Sequence, residues 1–259
     1  MNPDKRPVAV VTGGMRGIGL AIARSLATQG FDIAIMDLGG ARAETDAIAG
    51  EFEDLGARSV FVQCDLAAIE SHAEAVEAAV KQLGPVSCLV NNAGIASIER
   101  GDFLVLKPEN FDKIVAVNLR GTIFFTQAVL RSMLAARPVP GLKTIITISS
   151  VSAVMTSPER LDYCVTKAGL AAFSQGLAVR LAAENIAVFE VRPGIIRTEM
   201  TAGAAGKYDA LIDGGLVPAG RWGEPQDVAA AVAALASGAF AFSTGSVLNV
   251  DGALSISRL

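Results

Sequence analysis

The opening stretch constrains the fold more than any other. Residues 7–12 (PVAVVT) form a short apolar, β-branched run, GGMRGIG follows at once, and LAIARSLATQG then spaces its apolar residues as an amphipathic helix closed by Gly30. This order reads as strand, glycine turn, helix. Gly13, Gly17 and Gly19 let the backbone turn tightly and approach a pyrophosphate, whose charge is favoured by amides at the helix N-terminus; Arg16 and Ile18 lie within the same loop. The spacing is G-x-x-x-G-x-G, and its specificity comes from its place between a strand and a helix.

The alternation continues to the C-terminus. Strands are predicted at FDIAIMD, at 59–63 (SVFVQ), 86–90 (VSCLV), 144–148 (TIITI), 186–191 (IAVFEV) and in SVLNVDGA. Helices are predicted near 41–56, 68–83 and 109–136, in the run that follows Tyr163, and from Glu224-Pro225 onward. The expected fold is α/β: a Rossmann-type doubly wound parallel sheet of about seven strands, helices on both faces, one domain over 1–259, with the site at the C-terminal ends of the strands. Within 109–136, Asn118 and Gly121 are poor mid-helix residues. They predict a kink at which Asn118 exposes a carbonyl to a water, or else a turn between two helices. Residues 199–218 are rich in Gly and Ala with broken periodicity, which suits a mobile lid over a substrate.

Candidate cofactor residues stand at the strand ends. Asp37 falls about 20 residues beyond the glycine turn, where a carboxylate accepts hydrogen bonds from adenosine ribose hydroxyls and repels a 2′-phosphate. Arg16 pulls the other way by offering that phosphate a cation, and Asp37 weighs more because it faces the ribose directly. Asp65, followed by Leu66, could bond the adenine amino group or simply cap a helix. Asn92, Ala93 and Gly94 make a small-residue turn against which a cofactor can lie, and Pro193, Ile196 and Thr198 follow the sixth strand in RPGIIRT.

The chemistry is carried by SSVSAVMTSPERLDYCVTKAG. Tyr163 and Lys167, at i and i+4, project from one helical face, and Ser150 precedes the tyrosine by thirteen residues. A phenol with a pKa near 10 is a poor base at neutral pH, and a nearby lysine ammonium favours the phenolate, which can exchange a proton with an alcohol or ketone oxygen. Ser150 would hydrogen-bond that oxygen. Taken alone, Y-x-x-x-K is as readily an exposed pair on a solvated helix.

Several function classes are set aside. Net charge is −4 with scattered basic residues, which argues against nucleic acid and anionic membranes as partners and for a small molecule. Although 51% of residues are hydrophobic, no apolar run approaches the roughly 20 that span a bilayer, and MNPDKRPVAVV has no signal-peptide pattern. Cys64, Cys88 and Cys164 show no paired spacing and read as reduced thiols in a cytoplasm. His72, the single histidine, lies in a polar helical segment, so no metal site is expected and surface residence is. The terminal Ser257-Arg258-Leu259 loosely resembles a peroxisomal address and equally suits a packed last turn.

Together, TGGMRGIG, NNAG, the Asn of VNLRG, the Ser150–Tyr163–Lys167 spacing and RPGIIRT resemble the short-chain dehydrogenase/reductase family in its single-domain form, from Pro7 almost to the end. In texture, including RWGEPQDVA and STGSVLNVDGA, the chain is similar to bacterial proteins labelled 3-oxoacyl-acyl-carrier-protein reductases. The resemblance implies a tetrad of Asn118, Ser150, Tyr163 and Lys167. In it Tyr163 is the acid/base, Ser150 polarises the substrate oxygen, Lys167 binds nicotinamide ribose and tunes Tyr163, and Asn118 holds a relay water. Cys164, Glu190 and Arg192 depart from the family pattern; the last two suggest a private ion pair near the cofactor or plain residence at a sheet edge.

The expectation is an NAD(H)-dependent oxidoreductase acting on a secondary alcohol or ketone, with NADP less favoured. The rival readings are an NADPH-dependent 3-oxoacyl-acyl-carrier-protein reductase and a non-catalytic NAD-sensing protein. Charged Glu99, Arg100, Glu159 and Arg160 beside Ile95, Val154 and Met155 lean towards a small polar substrate such as a polyol, sugar or hydroxy acid, with Ser150, Met155, Arg160 and Tyr163 as its contacts. Apolar helix faces in 109–136 and 163–183 point to a homotetramer.

Overall fold

The computed structural model describes residues 6–136 and 142–258. Leu259, the last residue of the C-terminal tripeptide, lies outside them. The apolar runs become seven parallel strands, β1 (Val8–Thr12), β2 (Asp32–Asp37), β3 (Ser59–Gln63), β4 (Val86–Asn91), β5 (Lys143–Ile148), β6 (Ile186–Pro193) and β7 (Val247–Val250), in the order β3-β2-β1-β4-β5-β6-β7. Every residue of β1 and β4 is buried, as expected for central strands with helices over both faces.

One face is covered by α1 (Gly17–Thr28), α2 (Arg42–Asp54) and α9 (Pro225–Ala236), whose Ile22, Leu26, Phe52 and Val232 pack on Val11, Ile33, Ile35 and Phe189. The other is covered by α3 (His72–Leu83), α5 (Thr122–Ala135) and α6 (Leu161–Leu181), through Val76, Phe125, Val129 and Leu181 on Val10, Leu89 and Val188. Strand order reverses between β1 and β4, so a crevice opens there at the strands' C-terminal ends.

The 109–136 helix is interrupted as its composition foretells. It divides into α4 (Pro108–Ile114), a π-helical stretch Val115–Gly121, and α5. Gly121 is required there: a side chain on it would run into the Leu66 carbonyl, because the chain leaving β3 crosses this turn at backbone contact. The segment 199–218 is more ordered than a lid of broken periodicity suggests. It carries α7 (Glu199–Ala202) and α8 (Ala205–Asp213), with Ile212 and Val217 packed against Val151, Trp222 and Leu254.

The expected surface position of His72 is overturned. It is 2% exposed, its Nε2 lies 3.1 Å from the Leu66 carbonyl, and its ring meets Phe125 edge-on at 5.3 Å. Burial pulls its pKa below the ordinary value, which keeps the ring neutral. The polar neighbours were misleading because His72, Ala75, Val76, Ala79 and Leu83 form one helical stripe directed at the core.

Candidate active site

The glycine turn is set by steric necessity. A Cβ on Gly19 would lie 2.0 Å from the Gly13 carbonyl, and Gly13, at φ +65°, would bring one to 2.9 Å from the Ala93 backbone. The turn is fastened to the end of β4: Asn92 donates to the carbonyls of Thr12 and Gly13, both at 3.0 Å, and the Thr12 hydroxyl accepts from the amides of Asn92 and Ala93. The Asn92 side chain thus holds the wall together and is spent on backbone. Across the crevice, a methyl on Gly17 would stand 3.7 Å from Thr198. Thr198 caps α7, while Ile196 is buried beneath it.

Asp37 is half-buried at the end of β2, where its carboxylate accepts from Met15 N at 3.1 Å and Leu38 N at 2.8 Å. This fixes a negative charge beside the glycine loop. Arg16 is turned away to the opposite wall, paired with Glu199 at 3.1 Å, both side chains being 75% exposed. Asp65 is exposed and accepts from the Ala67 amide, a turn contact; Leu66 is buried.

Ser150, Tyr163 and Lys167 converge at the ends of β5 and α6. Ser150 is buried, its hydroxyl accepts from Ser152 N at 3.0 Å, and its hydrogen bond to the Tyr163 phenol favours the phenolate. Burial outweighs this and pushes the Tyr163 pKa above its ordinary value; Arg160, whose guanidinium lies 5.3 Å from the ring centroid, opposes the rise. The net direction is opposite to the lowering expected from Lys167. Lys167 is itself nearly enclosed, 4% exposed and donating to the Ile148 carbonyl at 3.0 Å, and burial likewise brings its own pKa down to about 8. Its ammonium stands 5.5 Å from the Tyr163 ring.

Asn118, fully buried in the π-helical stretch, clamps the loop after β4. Its Oδ1 accepts from Ile95 N at 2.7 Å and its Nδ2 donates to Ile95 O at 2.9 Å. Half-buried Arg160 stands by Tyr163 and reaches Ser152 Oγ at 3.4 Å, while Met155, also half-buried, packs with the Val151, Trp222 and Leu254 cluster. Glu99 pairs with Lys107 and Glu159 with Lys207, so of the charges expected near the reacting carbon Arg160 is the one seen against Tyr163. Tyr208 in α8 was not singled out from sequence. It lies near enough to raise the Tyr163 pKa and packs edge-on against Trp222 at 5.6 Å. Tyrosine is scarce here, with two in the chain, and one falling in the lid segment was the available signal. A cavity of about 260 Å³ beside α8, lined by Arg197, Asp209, Trp222 and Glu224, touches none of Asn118, Ser150, Tyr163 and Lys167.

The family model described as Enoyl-(Acyl carrier protein) reductase matches residues 13–255. The chain is 38% identical over 253 residues to a 3-oxoacyl-(acyl-carrier-protein) reductase of Haemophilus influenzae, covering 96% of this chain and 98% of that one. It is 36% identical over 252 residues to a D-threitol dehydrogenase of Mycolicibacterium smegmatis, covering 96% and 93%. A crystal structure of a 3-oxoacyl-(acyl-carrier protein) reductase from Brucella melitensis in complex with NAD superposes with a TM-score of 0.95 at 61% identity, over 98% of this chain and 99% of that one.

Proposed function

We propose that this chain, which belongs to the short-chain dehydrogenase/reductase family, is an NAD(H)-dependent oxidoreductase that interconverts a secondary alcohol and a ketone on a small polar substrate. The observation that carries the reading is the convergence of Ser150, Tyr163 and Lys167 in a crevice whose other wall presents the Asp37 carboxylate.

The glycine loop and the N-terminus of α1 would hold the pyrophosphate, and Asp37 the adenosine ribose. Gly94, Pro193, Ile196 and Thr198 would line the way towards Lys167, which would hold the second ribose. When bound, the nicotinamide supplies the hydride exchange. In oxidation Ser150 would donate to or accept from the substrate oxygen while Tyr163 takes its proton; in reduction Tyr163 returns it. Lys167 keeps a positive charge beside the phenol below about pH 8, and Asn118, which clamps the Ile95 loop, would hold the relay water. Arg160, stacked beside Tyr163, and Tyr208 in the lid supply polar contacts.

A second reading, an NADPH-dependent 3-oxoacyl-acyl-carrier-protein reductase, is favoured by the names of two relatives and by the Arg16 cation. Against it stand Asp37 and the engagement of Arg16 with Glu199. The threitol dehydrogenase among the relatives favours the polar substrate.

Among the described residues, no helix is long and apolar enough to cross a membrane. A reducing cytoplasm suits the three buried thiols. A homotetramer would cover exposed Phe124, Val165, Val179 and Phe242.

NAD reduction screened against polyols, sugars, hydroxy acids and 3-hydroxyacyl thioesters tests the reading. Arg160→Ala should raise KM for a polar substrate at least tenfold, about 1.4 kcal/mol if KM follows affinity. Unchanged kinetics with good activity on long 3-oxoacyl thioesters would transfer the assignment to the second reading.

A further inference from the structure

Beneath the tetrad lies a charged cluster that the proposed chemistry does not use. Glu190, on β6, is 2% exposed. Arg192, two residues on and 13% exposed, grips its carboxylate through Nε at 2.7 Å and a terminal nitrogen at 3.0 Å. The Ser149 hydroxyl donates to the same Oε1 at 2.5 Å. A bidentate guanidinium and a hydroxyl donor are the partners a buried carboxylate needs.

What Glu190 holds is Ser149, and Ser149 is the link between two working groups. On one side is Ile148, whose carbonyl accepts from the Lys167 ammonium; on the other is Ser150, whose hydroxyl faces Tyr163. Parallel pairing of Thr147 with Glu190 and Ile148 with Val191 sets this register. We propose that Glu190, locked by Arg192, is a positioning residue for the reaction, fixing Lys167 and Ser150 through Ser149 and supplying the negative charge that Lys167 faces. This rests on the reading that Tyr163 and Lys167 carry the chemistry.

The surroundings leave Glu190 a clear role. Around Lys167 and Tyr163 stand Glu190 and Arg192 from β6, Arg160, Asp162 and Cys164 from the start of α6 and the turn before it, and Tyr208 from the lid; the π-helical stretch presents uncharged Asn118. Asp162 is turned to Ser97 and the Tyr163 amide. Burial drives Lys167 towards the neutral amine, and Glu190 is the anion that works against it. Without that charge, Lys167 would lose its proton at a lower pH. The Tyr163 phenolate would then lack its cationic neighbour near neutrality.

The test compares wild type, Glu190→Gln and the double variant Glu190→Gln/Arg192→Met. Glu190→Gln leaves a buried guanidinium without its carboxylate and should lower Tm. The double variant removes both charges and should recover most of that loss, since neutral replacements for a buried pair are often tolerated. In Glu190→Gln, the Lys167 titration followed by NMR of its ¹³Cε, assigned with Lys167→Met, should move down from about 8 by roughly one unit; in the double variant, where the Arg192 cation leaves together with the carboxylate, it should move less. The acidic limb of kcat/KM for NAD-dependent oxidation of the fastest alcohol in the panel should move up. A Lys167 midpoint unchanged in Glu190→Gln, measured well below that variant's Tm, would overturn the proposal. The NMR titration needs no turnover, so its failure is distinct from a failure of the catalytic reading, which would show as an active Tyr163→Phe enzyme.

Discussion

The two walls of the crevice are built on different principles. At the ends of β1 and β2, polar groups serve backbone: Asn92 and Thr12 tie the glycine turn to β4, and Asp37 accepts from Met15 and Leu38 amides. The wall is shaped by glycines for which no side chain has room. At the ends of β5 and β6, shape depends on enclosed charge: Lys167 and Glu190 are 4% and 2% exposed, and each leans on groups from another element. The first wall should therefore respond to substitution through affinity and cofactor choice, and the second through proton transfer and pH.

Lys167→Met should break the second wall most. Turnover is expected to fall at least about a thousandfold, on the scale of losing both general acid–base catalysis and cofactor positioning. Stability carries a signature of its own. The folded pKa of about 8 lies below the ordinary 10.5, so between these values the unfolded chain binds more protons and wild-type stability rises with pH. The variant lacks that rise, and its advantage over wild type, measured by denaturant unfolding, should be largest below pH 8 and shrink towards pH 10.5. A constant difference would mean that Lys167 is not held at a depressed pKa.

The first wall is probed by Asp37→Ala, which should narrow the ratio of kcat/KM for NAD over NADP by about tenfold, roughly 1.4 kcal/mol of lost discrimination. Its pH profile should stay as in wild type, which sharpens the contrast between the walls. The smallest effect is expected of Glu199→Ala. The Arg16–Glu199 pair is three-quarters exposed on both sides, so screening leaves it little worth, and KM for NAD should change less than about threefold. A larger change, measured at low and high salt, would make this pair a working latch between the glycine loop and the lid.

The same contrast explains what was legible in the sequence. The strands and the sites at their ends were readable because apolar runs and glycine spacing are local signals, and β1, β2, β4 and β5 fall within a residue of the expected bounds. Asn118 and Gly121 announced an irregular helix, but not that it would be π-helical, and the close approach of Leu66 that Gly121 permits comes from a distant part of the chain. Of the two options left for Glu190 and Arg192, the ion pair is what forms. The direction of the Tyr163 shift was misread, since i, i+4 spacing places Lys167 near the ring but cannot convey how far burial acts on both groups. Arg16 was weighed as a cation for a 2′-phosphate; its partner Glu199 lies 183 residues away, out of reach of any local pattern.

Tyr163→Phe tests the central claim most directly, because it removes the exchangeable proton and keeps the ring against Arg160 and Lys167. Single-turnover hydride transfer and NAD binding by calorimetry should be measured on the same preparation. Hydride transfer is predicted to fall by at least about a hundredfold while the NAD dissociation constant stays within about threefold of wild type, since in the proposed reaction the lost hydroxyl would meet the substrate oxygen. A variant that retains a tenth or more of wild-type hydride transfer would contradict the assignment of Tyr163 as the acid/base.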